Sequence, residues 1–124
     1  HGKNNKNDPC AKISKQDMDA LNNVASYIND HFNAELPLAT LARIACMGTT
    51  KLKTSFKHIY HCTISEYIQQ RRMSHAEMLL TSTDLTIDHV ALAVGYSNAG
   101  RFAANFKNNT GLFPAEYRKM ANRK

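Results

Sequence analysis

Apolar residues recur along the chain at intervals of three and four, and polar breaks cut them into short segments. Leu21, Val24, Ala25, Ile28 and Phe32 fall on one stripe at helical spacing, opened by Ser14-x-x-Asp17, which can cap a helix. Asn33 to Pro37 interrupts the pattern. Leu38, Leu41, Ala42 and Ala45 then mark a helix of about two turns, and the small Ala42 and Ala45 let the next helix cross closely. Cys46-Met47-Gly48 reads as a turn. Thr49 to about Tyr60 forms the following helix, with Leu52, Phe56 and Ile59 inward. Thr63-x-x-Glu66 has the form of a capping box, opening a helix that carries Ile64, Tyr67, Ile68, Ala76, Leu79 and Leu80 to about Thr81. At about 18 residues it extends about 27 Å. After the polar Ser82-Thr83-Asp84, Thr86 can cap a helix with Ile87, Val90, Ala91 and Val94, and Gly95 takes the place of a left-handed turn residue. A further helix runs from Ser97 or Asn98 to about Asn108 with Phe102 and Phe106 inward, and Pro114 fits the first turn of a last short helix.

One helical unit is present twice. Leu41-Ala42-x-x-Ala45 followed by Leu52-x-x-x-Phe56-Lys57 returns as Val90-Ala91-x-x-Val94 and Phe102-x-x-x-Phe106-Lys107, 49 positions later before the turn and 50 after it. The expected fold is therefore all-α, with two helix-turn-helix subdomains joined by a long linker helix in a bilobed, homeodomain-like arrangement. The boundaries read from the pattern are a flexible tail or linker at 1–16, a first unit at 17–62, the linker helix at 63–82 and a second unit at 83–124.

The helix after each turn has an outward face. Thr50 and Thr54 lie about 200° from Leu52, and Lys51, Lys53 and Lys57 border them. Hydroxyls between lysines suit a DNA major groove, where Thr can touch base edges or the thymine methyl and Lys can hold phosphate or guanine. Thr49, Thr50, Lys51, Lys53, Thr54 and Lys57 are thus the first set of candidate DNA-binding residues. In the second unit the same face is Gly100 and Ala104, which offer nothing to hydrogen-bond, flanked by Asn98, Arg101, Asn105 and Lys107. Those four are assigned mainly to phosphate. Arg71 and Arg72, on the long helix, either reach phosphate or pair with nearby acidic groups. Phenylalanines and tyrosines at helical spacing are core residues rather than base-stacking platforms.

Composition agrees with a polyanionic partner: sixteen Lys and Arg against ten Asp and Glu leave a formal charge of +6. Three cysteines, Cys10, Cys46 and Cys62, form no CxxC pair and no closed disulfide framework, which fits a reducing compartment. His58, His61 and Cys62 cluster, but structural zinc takes four ligands and no further ligand follows at finger-like spacing, so neither metal nor cofactor is assigned. Ser65 or Cys62 near His61 lacks a third orienting group, so the chain does not read as an enzyme. No apolar run approaches the ~20 residues of a membrane span. The polar start, His1-Gly2 without an initiator Met, reads as a flexible tail of a fragment or processed chain.

The residues Leu41-Ala42 through Phe56-Lys57, the helix Tyr67…Arg72…Ala76…Leu79-Leu80, Val94-Gly95-Tyr96-Ser97, Phe102…Phe106-Lys107 and Gly111…Pro114…Tyr117-Arg118 together resemble the DNA-binding domain of AraC/XylS-type bacterial transcription regulators. The resemblance covers roughly residues 17 to 121, and Lys51-Leu52-Lys53…Phe56-Lys57 is also similar to the branch that regulates siderophore uptake. It implies a cytoplasmic, nucleoid-associated, sequence-specific DNA-binding domain, usually of an activator. Its two recognition helices would enter successive major grooves of an asymmetric promoter site, and RNA polymerase would be a partner. Effector binding and dimerisation would lie in a domain outside this chain. DNA-repair relatives fuse such a domain to a cysteine-rich zinc module, which these residues lack. Cys46 stands at the turn position equivalent to Gly95, and Gly48 replaces the usual polar cap, so the first turn is expected to be less regular. The other reading left by the residues is a helical protein-interaction adaptor whose basic face binds an acidic partner.

Overall fold

The computed structural model describes residues 13–122, and the proposed tail falls outside them up to residue 12. Among the described residues there are seven helices and no strand: α1 (Lys15–His31), α2 (Leu38–Ala45), α3 (Thr49–Tyr60), α4 (Ile64–Ser82), α5 (Ile87–Ala93), α6 (Ala99–Thr110) and α7 (Pro114–Ala121). α1 begins inside the stretch assigned to the tail, because Ser14 is itself the cap: its hydroxyl accepts from the Asp17 N–H at 3.0 Å. The box before α4 closes in both directions, Thr63 N–H to Glu66 Oε1 at 2.8 Å and Glu66 N–H to Thr63 Oγ1 at 3.0 Å. Thr86 Oγ1 accepts from the His89 N–H at 3.1 Å to open α5, and Glu116 Oε1 accepts from the Phe113 N–H at 2.9 Å to open α7. α6 starts at Ala99, one residue after the later of the two expected positions, since Asn98 is the cap and not the first helical residue. No helix among the described residues is long and apolar enough to cross a membrane.

Two compact units divide the chain. The first comprises α1, α2, α3 and the start of α4 through Ile68; the second comprises Phe32–Glu35 and everything from Gln69 onward. α4 thus contributes to both. Its apolar stripe stops at Ile68, gives way to Gln69-Gln70-Arg71-Arg72, and resumes with the buried Met73, Ala76 and Leu80.

In the first unit, Leu21, Val24 and Ile28 of α1, Leu41 of α2, and Leu52 and Phe56 of α3 are fully buried. Phe56 stands edge-on to Tyr67 with centroids 5.4 Å apart and planes at 83°. The second unit repeats this scheme with Met73, Ala76, Leu80, Val90, Ala91, Val94, Tyr96, Phe102 and Phe106 as one cluster. There Phe106 stands edge-on to Tyr117 at 5.3 Å and 86°. These edge-to-face pairs add about 0.5–1.5 kcal/mol each beyond the area they bury.

The turns differ as the residues dictate. Gly95 sits at φ +101, open to glycine alone, and a Cβ there would lie 3.0 Å from the Asn33 carbonyl oxygen and 3.1 Å from Arg72 Cζ. Its counterpart Cys46 also takes a left-handed conformation, φ 55 and ψ 42, which costs an L-residue about 1–2 kcal/mol. The first turn therefore keeps the geometry of the second at the expense of strain.

Candidate nucleic-acid interface

On α3, burial of Leu52 and Phe56 fixes the roll of the helix and leaves Thr49, Thr50, Lys51, Lys53, Thr54 and Lys57 all exposed. Ser55, between two of them, is buried at 4% exposure, and no buried side-chain polar atom among the described residues lacks a partner. Two bonds hold α3 and the start of α4 against α1: the Tyr60 hydroxyl donates to Asn22 Oδ1 at 2.8 Å, and Asn29 Nδ2 donates to the Tyr67 hydroxyl at 3.3 Å. Burial, and secondarily the neighbouring Tyr67, push the Tyr60 phenol above its ordinary range, so it stays a neutral donor.

One lysine of the set has an internal partner. Lys51 Nζ lies 3.1 Å from Asp17 Oδ2 on α1, which draws that cation back toward its own unit. Lys53, Thr54 and Lys57, with His58, instead form one wall of an open groove of about 890 Å³ that continues onto Leu36 and Leu38 and onto the start of α4. His58, Cys62 and His61 do not gather into a site, and no group of three His, Cys, Asp or Glu suited to a metal occurs among the described residues. Burial, then Glu66, raise the Cys62 thiol above its usual range, the direction away from a reactive thiolate.

On α6 the sequence-assigned residues part company. Arg101 and Lys107 are exposed, the latter with Nζ 4.6 Å from the centre of the Phe113 ring. Asn98 is exposed, and its Oδ1 accepts from the Arg101 N–H at 2.9 Å as the helix cap. Asn105 is half-buried and turned inward: its Nδ2 donates to the Tyr96 hydroxyl at 3.1 Å, which donates in turn to Gln69 Oε1 at 2.7 Å. This chain of bonds ties α6 to the turn and to α4. Sequence reasoning missed it, because nothing in the spacing of Gln69, Tyr96 and Asn105 announces a contact.

Arg72 is committed to neither phosphate nor an acidic group. Its Nε donates to the Phe32 carbonyl at 2.7 Å and its Nη2 to the Ala34 carbonyl at 3.1 Å, while Cζ lies 5.6 Å from the Tyr96 ring centre. The planar guanidinium thus fastens Phe32–Glu35 onto the second unit. Arg118 does the same for the end of α4, donating to the Leu80 carbonyl at 2.9 Å and the Thr83 carbonyl at 3.1 Å.

The family described as a helix-turn-helix domain matches residues 41–120. Among curated relatives, a bifunctional transcriptional activator/DNA repair enzyme of Bacillus subtilis, AdaA, is 35% identical over 105 residues, which are 85% of this chain and 50% of the relative. An uncharacterized regulator of the helix-turn-helix type from Staphylococcus aureus is 34% identical over 100 residues, 81% of this chain and 13% of its own length. The chain therefore spans half or less of these relatives. Among solved structures, the C-terminal domain of AraT, a response regulator from Geobacillus stearothermophilus, superposes with a TM-score of 0.76 at 28% identity, covering 88% of each chain. The DNA-binding domain of AdpA, solved with a target DNA, shares the fold at a TM-score of 0.77 and 24% identity over 82% of this chain and 91% of that one.

Proposed function

The chain belongs to the AraC-type family of helix-turn-helix domains, and on that premise we propose how this DNA-binding domain of a transcription regulator divides its work between α3 and α6. α3 reads sequence. Thr50, Lys53 and Thr54 meet base edges, and Thr49, Lys51 and Lys57 hold the flanking phosphates. α6 anchors. Arg101 and Lys107 neutralise phosphate, Asn98 adds its amide donors because the helix cap uses only its carbonyl oxygen, and Asn105 acts from inside by fixing the helix through Tyr96. The observation that carries this division is the contrast between the exposed threonines and lysines of α3 and the exposed Gly100 and Ala104 of α6.

Two such helices entering successive major grooves, about 34 Å apart, would cover an asymmetric site without a palindrome. Activation through contact with RNA polymerase, in the cytoplasm, is the role that follows for the whole protein, and AdaA, named as an activator, supports it. Catalysis is not assigned to these 124 residues.

Selection from random-sequence duplexes at about 0.15 M salt tests the division. The wild type should recover one asymmetric motif with two informative blocks about 10 base pairs apart. Lys53→Ala should change the preferred base at one position of one block. Arg101→Ala should weaken binding to all sequences alike and reduce the salt slope by about one. A shifted motif for Arg101→Ala refutes the anchoring role.

A further inference from the structure

The groove of the first unit has a composition that DNA reading leaves half explained. Lys53, Lys57 and His58 supply positive or protonatable groups on one side, and Leu36, Leu38 and Ile68 supply half-buried apolar surface on the other. None of its lining residues is acidic. A phosphate backbone satisfies the cations but gives the apolar wall no partner, since that surface leaves water only against other apolar groups. A purely apolar occupant covers the leucines but strips water from the ammonium groups without pairing them. The occupant matched to both carries carboxylates beside apolar side chains at helical spacing, the amphipathic helix-in-groove mode. At about 890 Å³ the groove is large enough for the anchor side chains of such a segment, since drug-sized ligands fill about 300–1,000 Å³.

We propose that this groove docks an acidic amphipathic helical segment of a partner protein, and that docking and DNA binding exclude each other because both draw on Lys53 and Lys57. The exclusion rests on α3 being the DNA reader. The docking rests on the groove alone.

The probe is a fluorescein-labelled peptide of about four helical turns, with Leu at i, i+3, i+4 and i+7 and Glu at most other positions. Its controls are the same peptide with Gln for Glu and a scrambled peptide of equal charge. By anisotropy the acidic amphipath should bind at least about tenfold tighter than either control. Backbone amide shifts of the ¹⁵N-labelled chain should concentrate at Leu36, Leu38 and Ile68. The uncharged variants Leu36→Ala and, separately, Leu36→Ser should weaken the peptide about tenfold while leaving duplex affinity within about twofold, with circular dichroism reporting the fold. Equal affinity for the Gln and Glu peptides, shifts that map away from the groove, or indifference of the folded Leu36 variants overturns the docking. The selected duplex should displace the bound peptide, and a stable ternary complex overturns the exclusion. If no sequence-selective duplex exists, the DNA reading fails, while the shift map and the Leu36 variants still decide the docking.

Discussion

Replacing Gly95 by Ala and Cys46 by Gly should move stability in opposite directions, although the two residues occupy the same position in the two turns. At Gly95 the added methyl meets two costs. The backbone at φ +101 is disfavoured for an L-residue by about 1–2 kcal/mol. The Cβ would also press within 3.0 Å of the Asn33 carbonyl oxygen and 3.1 Å of Arg72 Cζ. Asn33 is backbone and cannot rotate away, so the guanidinium and the Phe32–Glu35 segment must shift together. Loosening the two bonds from Arg72 to the Phe32 and Ala34 carbonyls adds about 1.5–3 kcal/mol, the range for hydrogen bonds to charged groups. Alanine recovers about 0.4–1 kcal/mol by restricting the unfolded chain. The net loss is about 2–4 kcal/mol. At Cys46 the reverse change removes about 1–2 kcal/mol of left-handed strain and gives back about 0.5–1 kcal/mol in unfolded-state entropy, and the side chain is exposed. A gain of about 0.5–1 kcal/mol remains. Urea unfolding by circular dichroism gives the two signs, and hydrogen exchange assigns each effect to its unit. A Gly95→Ala variant that loses less than about 1 kcal/mol, or a Cys46→Gly variant that is destabilised, refutes the turn argument.

Tyr96→Phe leaves Gln69 and Asn105 without their shared hydroxyl and should cost about 1–3 kcal/mol in the second unit. DNA affinity should fall with the selected motif unchanged, and a changed base preference would contradict a positioning role. Asp17→Asn removes the carboxylate 3.1 Å from Lys51 and should strengthen duplex binding and steepen its salt dependence, read by titration at several salt concentrations. Unaltered affinity and slope would place Lys51 off the DNA. The phenols of Tyr60 and Tyr117 are raised above the ordinary value of 10.0, chiefly by burial. The unfolded chain releases those protons first as pH rises, so stability is fully present below pH 10 and declines above it. Urea midpoints at alkaline pH should fall less steeply for a Tyr60→Phe, Tyr117→Phe double variant.

Which parts of the molecule were legible in the sequence follows from the range of the interactions. Helix existence rests on stripes at intervals of three and four, and caps rest on pairs three residues apart, so α1 through α7 and the Ser14, Thr63 and Thr86 caps could be read directly. The outward residues of α3 were also legible, because Leu52 and Phe56 fix the opposite face. The positions that were misread, or not read at all, depend on partners distant in sequence. Arg72 meets carbonyls 38 and 40 residues away, Arg118 meets carbonyls 35 and 38 away, and Gln69 meets Tyr96 across 27. No periodicity encodes such pairs. Asn105 looked like a flank residue for the same reason: a polar side chain at a half-buried position turns inward only if a partner waits there, and Tyr96 supplies it.

The duplication separates what packing constrains from what it leaves free. Fifty positions apart, Leu52 and Phe102, Phe56 and Phe106, and Tyr67 and Tyr117 take equivalent places, because a buried position admits another large apolar side chain but neither a small nor a charged one without a cavity or an unpaired charge. At the same offset the faces have diverged: Thr50, Lys53 and Thr54 become Gly100, Ala103 and Ala104, while Lys51 and Lys57 remain basic as Arg101 and Lys107. Two of the three cations are retained, while Lys53 and the two threonine hydroxyls are lost, the pattern expected where one copy reads and the other anchors. Grafting Gly100→Thr, Ala103→Lys and Ala104→Thr onto α6 should therefore convert an anchor into a reader. At Gly100 a Cβ meets only Asn98 Oδ1, at 3.1 Å, a side-chain atom that must give by a few tenths of an ångström; Ala104 is exposed, and at the half-buried Ala103 a lysine stem can lie along the surface with its ammonium in water. Replacing the helical glycine by threonine should change stability by only a few tenths of a kcal/mol, since threonine's own helix propensity is low. Duplex selection on the grafted chain should give a second block that gains information and resembles the first, with discrimination against the wrong base of at most about 1–3 kcal/mol at each newly contacted position. If the graft folds and the second block stays blank, the reading of sequence does not reside in those three side chains, and the contrast between α3 and α6 has another cause.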